Sequence, residues 1–174
     1  MPRAPYNVLV IPYRLAANGY EFAVFRRADG SMWQFIAGGG EGDEVPWSAA
    51  QREAREEGGL AGAHVWTALD ARASIPRTAF PGAGWPGDVY VVPEFCFAVD
   101  VGAADLRLSA EHDRIEWLDH AAAADRLTWD SNRVALWELT ERLRRSPATP
   151  LPAVGPSDRR EPAPSRPRES PRDV

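Results

Sequence analysis

Gly38-Gly39-Gly40-Glu41-Gly42-Asp43-Glu44-Val45-Pro46-Trp47-Ser48-Ala49-Ala50-Gln51-Arg52-Glu53-Ala54-Arg55-Glu56-Glu57-Gly58-Gly59-Leu60 is the stretch that decides how the chain is read. Pro46 is tolerated as a first helical residue, and the Gly58-Gly59 pair is a helix stop, so Trp47–Glu57 is expected to be a helix. No Ser or Thr precedes the proline to cap it, because Val45 stands there. Glu53, Glu56 and Glu57 fall at i, i+3 and i+4, which puts three carboxylates on one helical flank, about 5–6 Å apart at Cβ. Like charges at that spacing, near the negative end of a helix, repel one another unless a cation sits on them. Hard carboxylate oxygens suit Mg²⁺ or Mn²⁺, and a close cluster can hold more than one ion. The glycines upstream let the backbone approach an ion or a phosphate closely.

Working outward, Tyr6–Ile11, Tyr20–Arg27 after the Asn18-Gly19 turn, Trp33–Ala37, Ala63–Ile75, Asp88–Val101 and Arg114–Leu118 are strand candidates. Within Asp88–Val101, Val89, Val91, Phe95, Phe97 and Val99 alternate onto one face, and Pro93 predicts a bulge or an edge. Pro81–Asp88 is a Gly/Pro-rich loop containing Trp85. Two helices follow, Ala121–Arg126 and Ser131–Arg145, the second with Ser131 as its cap. Strands interleaved with helices imply an α/β layered domain over residues 1–145.

Residues 146–174 hold 8 of the 16 prolines and no aromatic residue. By composition they form a disordered or polyproline-like tail rather than part of a core. The first 145 residues carry 15 Arg and 21 acidic residues, a balance of −6, and the tail carries 5 Arg and 4 acidic residues, a balance of +1. An acidic domain is a poor partner for nucleic acid. No apolar run reaches the length of a membrane span, and the start lacks a signal-peptide core, so a cytoplasmic protein is expected. Cys96 is the single cysteine, and three histidines at 64, 112 and 120 share no ligand spacing.

The full string resembles the Nudix signature: Gly, five residues, Glu, seven residues, Arg-Glu, an aliphatic residue, any residue, Glu-Glu, any residue, Gly and an aliphatic residue. Gly38, Glu44, Arg52, Glu53, Ala54, Glu56, Glu57, Gly59 and Leu60 fill its slots in register. At about 7% per residue type, chance agreement at the seven fixed positions is on the order of 10⁻⁸. Outside it, Arg26-Arg27, Trp33-Gln34, Glu111-His112, Trp117-Leu118-Asp119 and Trp129-Asp130-Ser131-Asn132-Arg133 resemble the bacterial dihydroneopterin triphosphate pyrophosphatase branch, which also includes dATP pyrophosphohydrolases.

The resemblance implies a mixed sheet sandwiched between helices, and a Mg²⁺- or Mn²⁺-dependent hydrolase acting as a monomer or weak homodimer. The substrate implied is a nucleoside or pterin triphosphate, cleaved to a monophosphate and pyrophosphate. It makes Glu53, Glu56 and Glu57 ion ligands with the Gly38 carbonyl, Arg52 their orienting partner, and Glu44 a supporting residue. The base is a box glutamate or a carboxylate outside it. Glu111 is chosen among the latter, also as a ligand, with Glu94 as its competitor. Arg27, Trp33, Gln34, Gly39 and Trp85 are the expected substrate contacts, Trp33 as a ring platform and Arg27 toward the phosphates. Two other readings stay open: hydrolysis of ADP-ribose or another nucleoside diphosphate derivative, for which Pro76 is the clue, and a nucleotide-sensing module without turnover.

Overall fold

The computed structural model describes residues 1–145, so the expectation of a disordered tail over 146–174 lies outside the described residues. Strand β1 (Arg3–Ala16) is the spine. Its far half pairs antiparallel with β2 (Gly19–Arg27) through the turn at Asn18-Gly19, and its near half pairs antiparallel with β4 (Ile36–Glu41). Along Asn7–Tyr13 it runs parallel to β6 (Val91–Asp100). Strand β3 (Trp33–Gln34) and β7 (His112–Leu118) add to β2, and β5 (Val65–Pro76) closes the other edge against β6. Among the described residues the sheet has seven strands with one parallel pairing among antiparallel ones, which makes it mixed.

Successive side chains of β1 point to opposite faces, and both faces are covered. Val8 and Val10 join Ala23, Phe25, Ile36 and Phe97 beneath helix α1 (Pro46–Gly58). Leu9, Ile11 and Tyr13 join Phe22, Val24 and Phe35 beneath α2 (His120–Arg126) and α3 (Asp130–Arg145). This is the expected sandwich, with α1 the one helix on its side among the described residues.

Several local expectations are corrected. The run Trp33–Ala37 is two strands, and Gly38-Gly39-Gly40 continue the second instead of ending it. None of these three glycines has a positive φ. Their use is close approach. A Cβ at Gly38 would fall 2.0 Å from the Glu53 carboxyl, one at Gly39 2.3 Å from Arg3 Cζ, and one at Gly40 2.0 Å from the Tyr6 hydroxyl. Strand β6 lies inside the sheet, and the ladder with β1 starts at Glu94, so Pro93 pairs only with β5 and its missing N–H is not needed by β1. Val91 is exposed, and both faces of β6 are buried over Cys96–Val99, so the alternation ends where the strand enters the core. Helix α3 begins at Asp130, which places Ser131 inside it.

Helix α1 starts at Pro46 after an uncapped Val45 and ends at Gly59, whose φ of 67° is the left-handed region open to glycine. Its buried stripe is Ala49, Ala50, Glu53, Ala54, Glu57 and Gly58. The small residues let the helix lie close on the sheet, and they carry two glutamates inward with them. A carboxylate buried on a core-facing stripe contradicts the usual polar-out pattern, and such conflicts belong to functional sites. Among the described residues no helix is long and apolar enough to cross a membrane.

Candidate active site

Glu57 is 3% exposed and Glu53 9% exposed, both aimed from α1 at β4. The Ala37 N–H donates to Glu57 Oε2 at 3.4 Å, and the Glu53 carboxyl lies in the space left by Gly38. Burial, then the nearby Glu53 and Glu111 charges, pushes the Glu57 carboxyl up to about 8. Burial also raises Glu53, against the pull of Arg52. Two buried acids whose charge is disfavoured mark a candidate functional site.

Arg52 organises the front of this site. Its guanidinium donates to the Gly39 carbonyl at 2.6 Å, to Glu44 Oε2 at 3.0 Å, to Glu53 Oε1 at 3.0 Å and to Glu56 Oε2 at 2.9 Å. Burial opposes its charge, but the three carboxylates hold it above the ordinary arginine value. Glu44 in turn accepts from the Glu41 N–H, so the loop before α1 is tied to the helix through one arginine.

The three box glutamates are not gathered on one face. The side chain of Glu56 is 57% exposed and turned to solvent, bound by Arg52, because it lies outside the stripe that packs on the sheet. Glu111, just before β7, lies close enough for its charge to act on Glu53 and Glu57, and its carboxylate is ion-paired with Arg27 at 3.0 Å. Among the described residues no three His, Cys, Asp or Glu side chains stand at metal-ligand spacing. The donor chemistry nonetheless fits a hard divalent ion: carboxylate oxygens of Glu53 and Glu57 beside a glycine backbone, with their charge disfavoured by burial.

The expected substrate contacts divide between the two sheet faces. Arg27 and Gln34 lie on the face of Phe25, the side of α1. Trp33 pairs with Arg26 on the other face, with the Arg126 guanidinium 4.7 Å and the Arg26 guanidinium 5.9 Å from its ring. The structure therefore does not bring Trp33 together with Arg27. Arg26 is engaged by Asp113 through two hydrogen bonds of 2.7 Å. Trp85 is buried, and its indole N–H donates to the Arg3 carbonyl at 2.6 Å while its ring packs on Phe80, so it anchors its loop. Glu94 is buried on the sheet face away from Glu53 and Glu57, bonded to Asn7, and does not meet the box carboxylates. Cys96 is buried, and burial pushes its thiol up to about 12, as an inert core cysteine.

Two residues outside the expected set of site residues also stand at the site. Arg3 lies over Gly39, where only the pairing of β1 with β4 could place it. His112 is buried edge-on to Phe25 with Nδ1 3.9 Å from Glu57 Oε2, and neither ring nitrogen has a hydrogen-bond partner among the described residues. Burial, then Arg27, holds it below the ordinary histidine value, so it is neutral at pH 7. His112→Phe keeps the ring contact and removes two unsatisfied polar atoms. It should raise the melting temperature by roughly 2–4 °C, the effect of about 1 kcal/mol in a domain of this size. A lower melting temperature would mean that the imidazole bonds Glu57 in solution.

Comparison with known proteins gives a coherent picture. The NUDIX domain family model matches residues 6–137. A candidate NUDIX hydrolase structure from Listeria monocytogenes is 41% identical, covering 82% of this chain and 97% of that one, with a TM-score of 0.75. The E. coli dihydroneopterin triphosphate pyrophosphohydrolase is 24% identical over 80% of this chain and 97% of that one, with a TM-score of 0.68, a likeness of fold. An octanoyltransferase of Myxococcus xanthus is 40% identical over 105 residues, 60% of this chain, and the chain spans only 27% of the length of that curated relative. The name of that longer protein thus describes a chain most of which has no counterpart here.

Proposed function

Because the chain belongs to the Nudix family, we propose that it is a divalent-metal-dependent hydrolase of phosphoric anhydrides that cleaves a nucleoside or pterin triphosphate to the monophosphate and pyrophosphate. The observation that carries this reading is the pair of inward-facing carboxylates, Glu53 and Glu57, buried against a glycine backbone with their charge disfavoured. Glu53 and Glu57 would hold Mg²⁺ or Mn²⁺ with the Gly38 carbonyl, and Glu56 and Glu111 would complete the set. When bound, the ions supply charge neutralisation of the polyphosphate and activation of water.

The remaining work falls to the chain itself. Arg52 fixes the Glu53 and Glu56 carboxylates by charge-assisted hydrogen bonds and ties them to the Gly39 carbonyl, so the donor set is oriented before substrate arrives. Glu44 holds Arg52 in place. Glu111 is the proposed base; Arg27 holds it and is the arginine assigned to meet a substrate phosphate. The dihydroneopterin-type substrate is supported by the flanking residues Glu111-His112 and Trp117-Leu118-Asp119, which match that branch.

The test is a Mg²⁺-dependent turnover assay across dihydroneopterin triphosphate, the deoxynucleoside triphosphates, ADP-ribose and dinucleoside polyphosphates, with the best substrate then hydrolysed in ¹⁸O-water. The expected result is label in the monophosphate and none in pyrophosphate. Release of orthophosphate, or label in pyrophosphate, would overturn the assigned bond.

A further inference from the structure

Helix α3 leaves two tryptophans in water. Its buried stripe runs from Asn132 through Leu136 and Leu139 to Leu143. Val134 and Trp137, three residues apart on the opposite flank, are 54% and 59% exposed, and Trp129 at the head of the helix is 48% exposed. Trp33, Trp47, Trp66, Trp85 and Trp117 each have a ring or guanidinium partner, and among the described residues Trp129 and Trp137 have none. The frame that carries them is fixed. The Trp33 N–H donates to Thr128 Oγ1 at 3.0 Å, and the Arg133 guanidinium donates to the Ala124 carbonyl at 3.0 Å and to the Leu127 carbonyl. A single exposed apolar side chain is ordinary, but three along one helix make a preset apolar surface.

The sequence that follows α3 matches this surface in chemistry and in length. Residues 146–157 carry no charged side chain, and all nine charged residues of 146–174 lie from Asp158 onward. The uncharged stretch holds Pro147, Pro150, Pro152 and Pro156 together with Leu151 and Val154. Proline-rich segments of this kind dock on aromatic-lined surfaces as preformed polyproline II helices, which lose little entropy on binding. Ser146-Pro147 suits the first two positions of a reverse turn. With 146–148 turning the chain back, Leu151, Val154 and Pro156 stand about 9, 19 and 25 Å from the end of α3 at the polyproline rise. Trp137, Val134 and Trp129 stand about 12, 17 and 24 Å from that end at the helical rise. The uncharged run therefore ends where the apolar flank ends. In a three-residue period Leu151 and Val154 share one ridge, Pro150, Ala153 and Pro156 the next, and Thr149, Pro152 and Gly155 the third.

We propose that residues 149–156 lie back along the exposed flank of α3 as a polyproline II strap, with Leu151 on Trp137, Val154 beside Val134 and Pro156 on Trp129. The first two ridges face the helix, and the ridge of Thr149, Pro152 and Gly155 faces water. The contact lies within one chain and does not depend on the hydrolase reading. A short tether holds such a segment at an effective concentration of about 1 mM, so a Kd of about 0.1 mM for the free segment keeps it docked about 90% of the time. The strap takes out of water a patch that otherwise favours association with other chains.

The test is paramagnetic broadening of NMR signals in the full chain, with a nitroxide attached at Gly155→Cys; Cys96 is buried and stays unlabelled. Docked as proposed, the label sits between Val134 and Trp129. The expected result is loss of most of the signal from the Val134 amide and the Trp129 indole N–H, a smaller loss at the Arg144 and Arg145 amides, and none at the indole of Trp66 on the other side of the sheet. A tethered segment that does not dock gives the reverse order, with the loss greatest at Arg145 and fading toward Trp129, and that order overturns the proposal. Leu151→Asp alters no residue of the packed domain and should convert the first pattern into the second. Trp137→Ala, checked by melting curve, should do the same. An unchanged pattern in Leu151→Asp overturns the assigned contact even if the tryptophan variant does not fold. Broadening of a nitroxide-free ¹⁵N chain by an added nitroxide-bearing chain would place the segment on a second copy and overturn the intrachain strap.

Discussion

Glu57→Gln is expected to lower kcat on the best triphosphate by on the order of 10³-fold or more while the fold stays intact, because it removes a charged oxygen from the proposed ion-binding pair and changes no volume. The same variant also has a stability signature. Glu57 titrates near 8 in the folded chain, from burial and then the Glu53 and Glu111 charges, against an ordinary value of 4.5. Between those two values the folded state keeps a proton that the unfolded state has lost. In the metal-free protein stability therefore falls as pH rises from about 4.5 to 8 and stays low above that. The glutamine variant lacks this component, so its metal-free melting temperature should exceed that of the natural chain at pH 8–9 and approach it near pH 5. Adding Mg²⁺ should raise the melting temperature of the natural chain at pH 8 more than that of the variant. Undiminished turnover by Glu57→Gln in Mg²⁺ would remove Glu57 from the site.

Gly38→Ala is expected to cut kcat/KM by roughly 10²-fold with a small change in melting temperature. The new Cβ would fall 2.0 Å from the Glu53 carboxyl, and a carboxyl at the end of a flexible side chain can swing aside at little cost to the fold. The displacement exceeds an ångström at a group whose position is the function, the scale at which misplacement costs about that factor. Gly40→Ala is the control. Its Cβ would meet the hydroxyl end of the Tyr6 ring, which bonds the Glu44 carbonyl, so it should lower the melting temperature by several degrees through packing. Full activity in Gly38→Ala would show that Glu53 does not need its observed place.

Much of this was legible in the one-dimensional order of residues. The 3.6-residue period of a helix puts Glu53 and Glu57 one turn apart whatever surrounds them, and Pro46 and Gly59 bound the helix by φ alone. The alternation of β2 separates Arg26 from Arg27 onto opposite faces, and the ladder with β3 then assigns Trp33 to Arg26 and Gln34 to the face of Arg27. Local rules failed where long-range pairing decides. The glycines of β4 read as a strand end, because nothing nearby in sequence reveals that Arg3, Tyr6 and Glu53 each need the space of a missing side chain. His112 had no ligand spacing in sequence because its neighbour Glu57 is brought to it by the packing of α1 beside β7.

The order of residues by itself determined the helix that carries the glutamates, its ends, the alternation of the strands and the chemistry of the donors, because each of these follows from dihedral preferences and periodicity acting over a few residues. Tertiary structure alone decided which glutamates face inward, that Glu56 is left to solvent and Glu111 to Arg27, that Trp33 stands with Arg26 and Arg126 while Trp85 anchors its loop, and that Glu94 stands with Asn7 on the face away from Glu53. Those outcomes depend on which strand lies beside which, and that is set by burying two apolar faces at once, a condition no short segment contains.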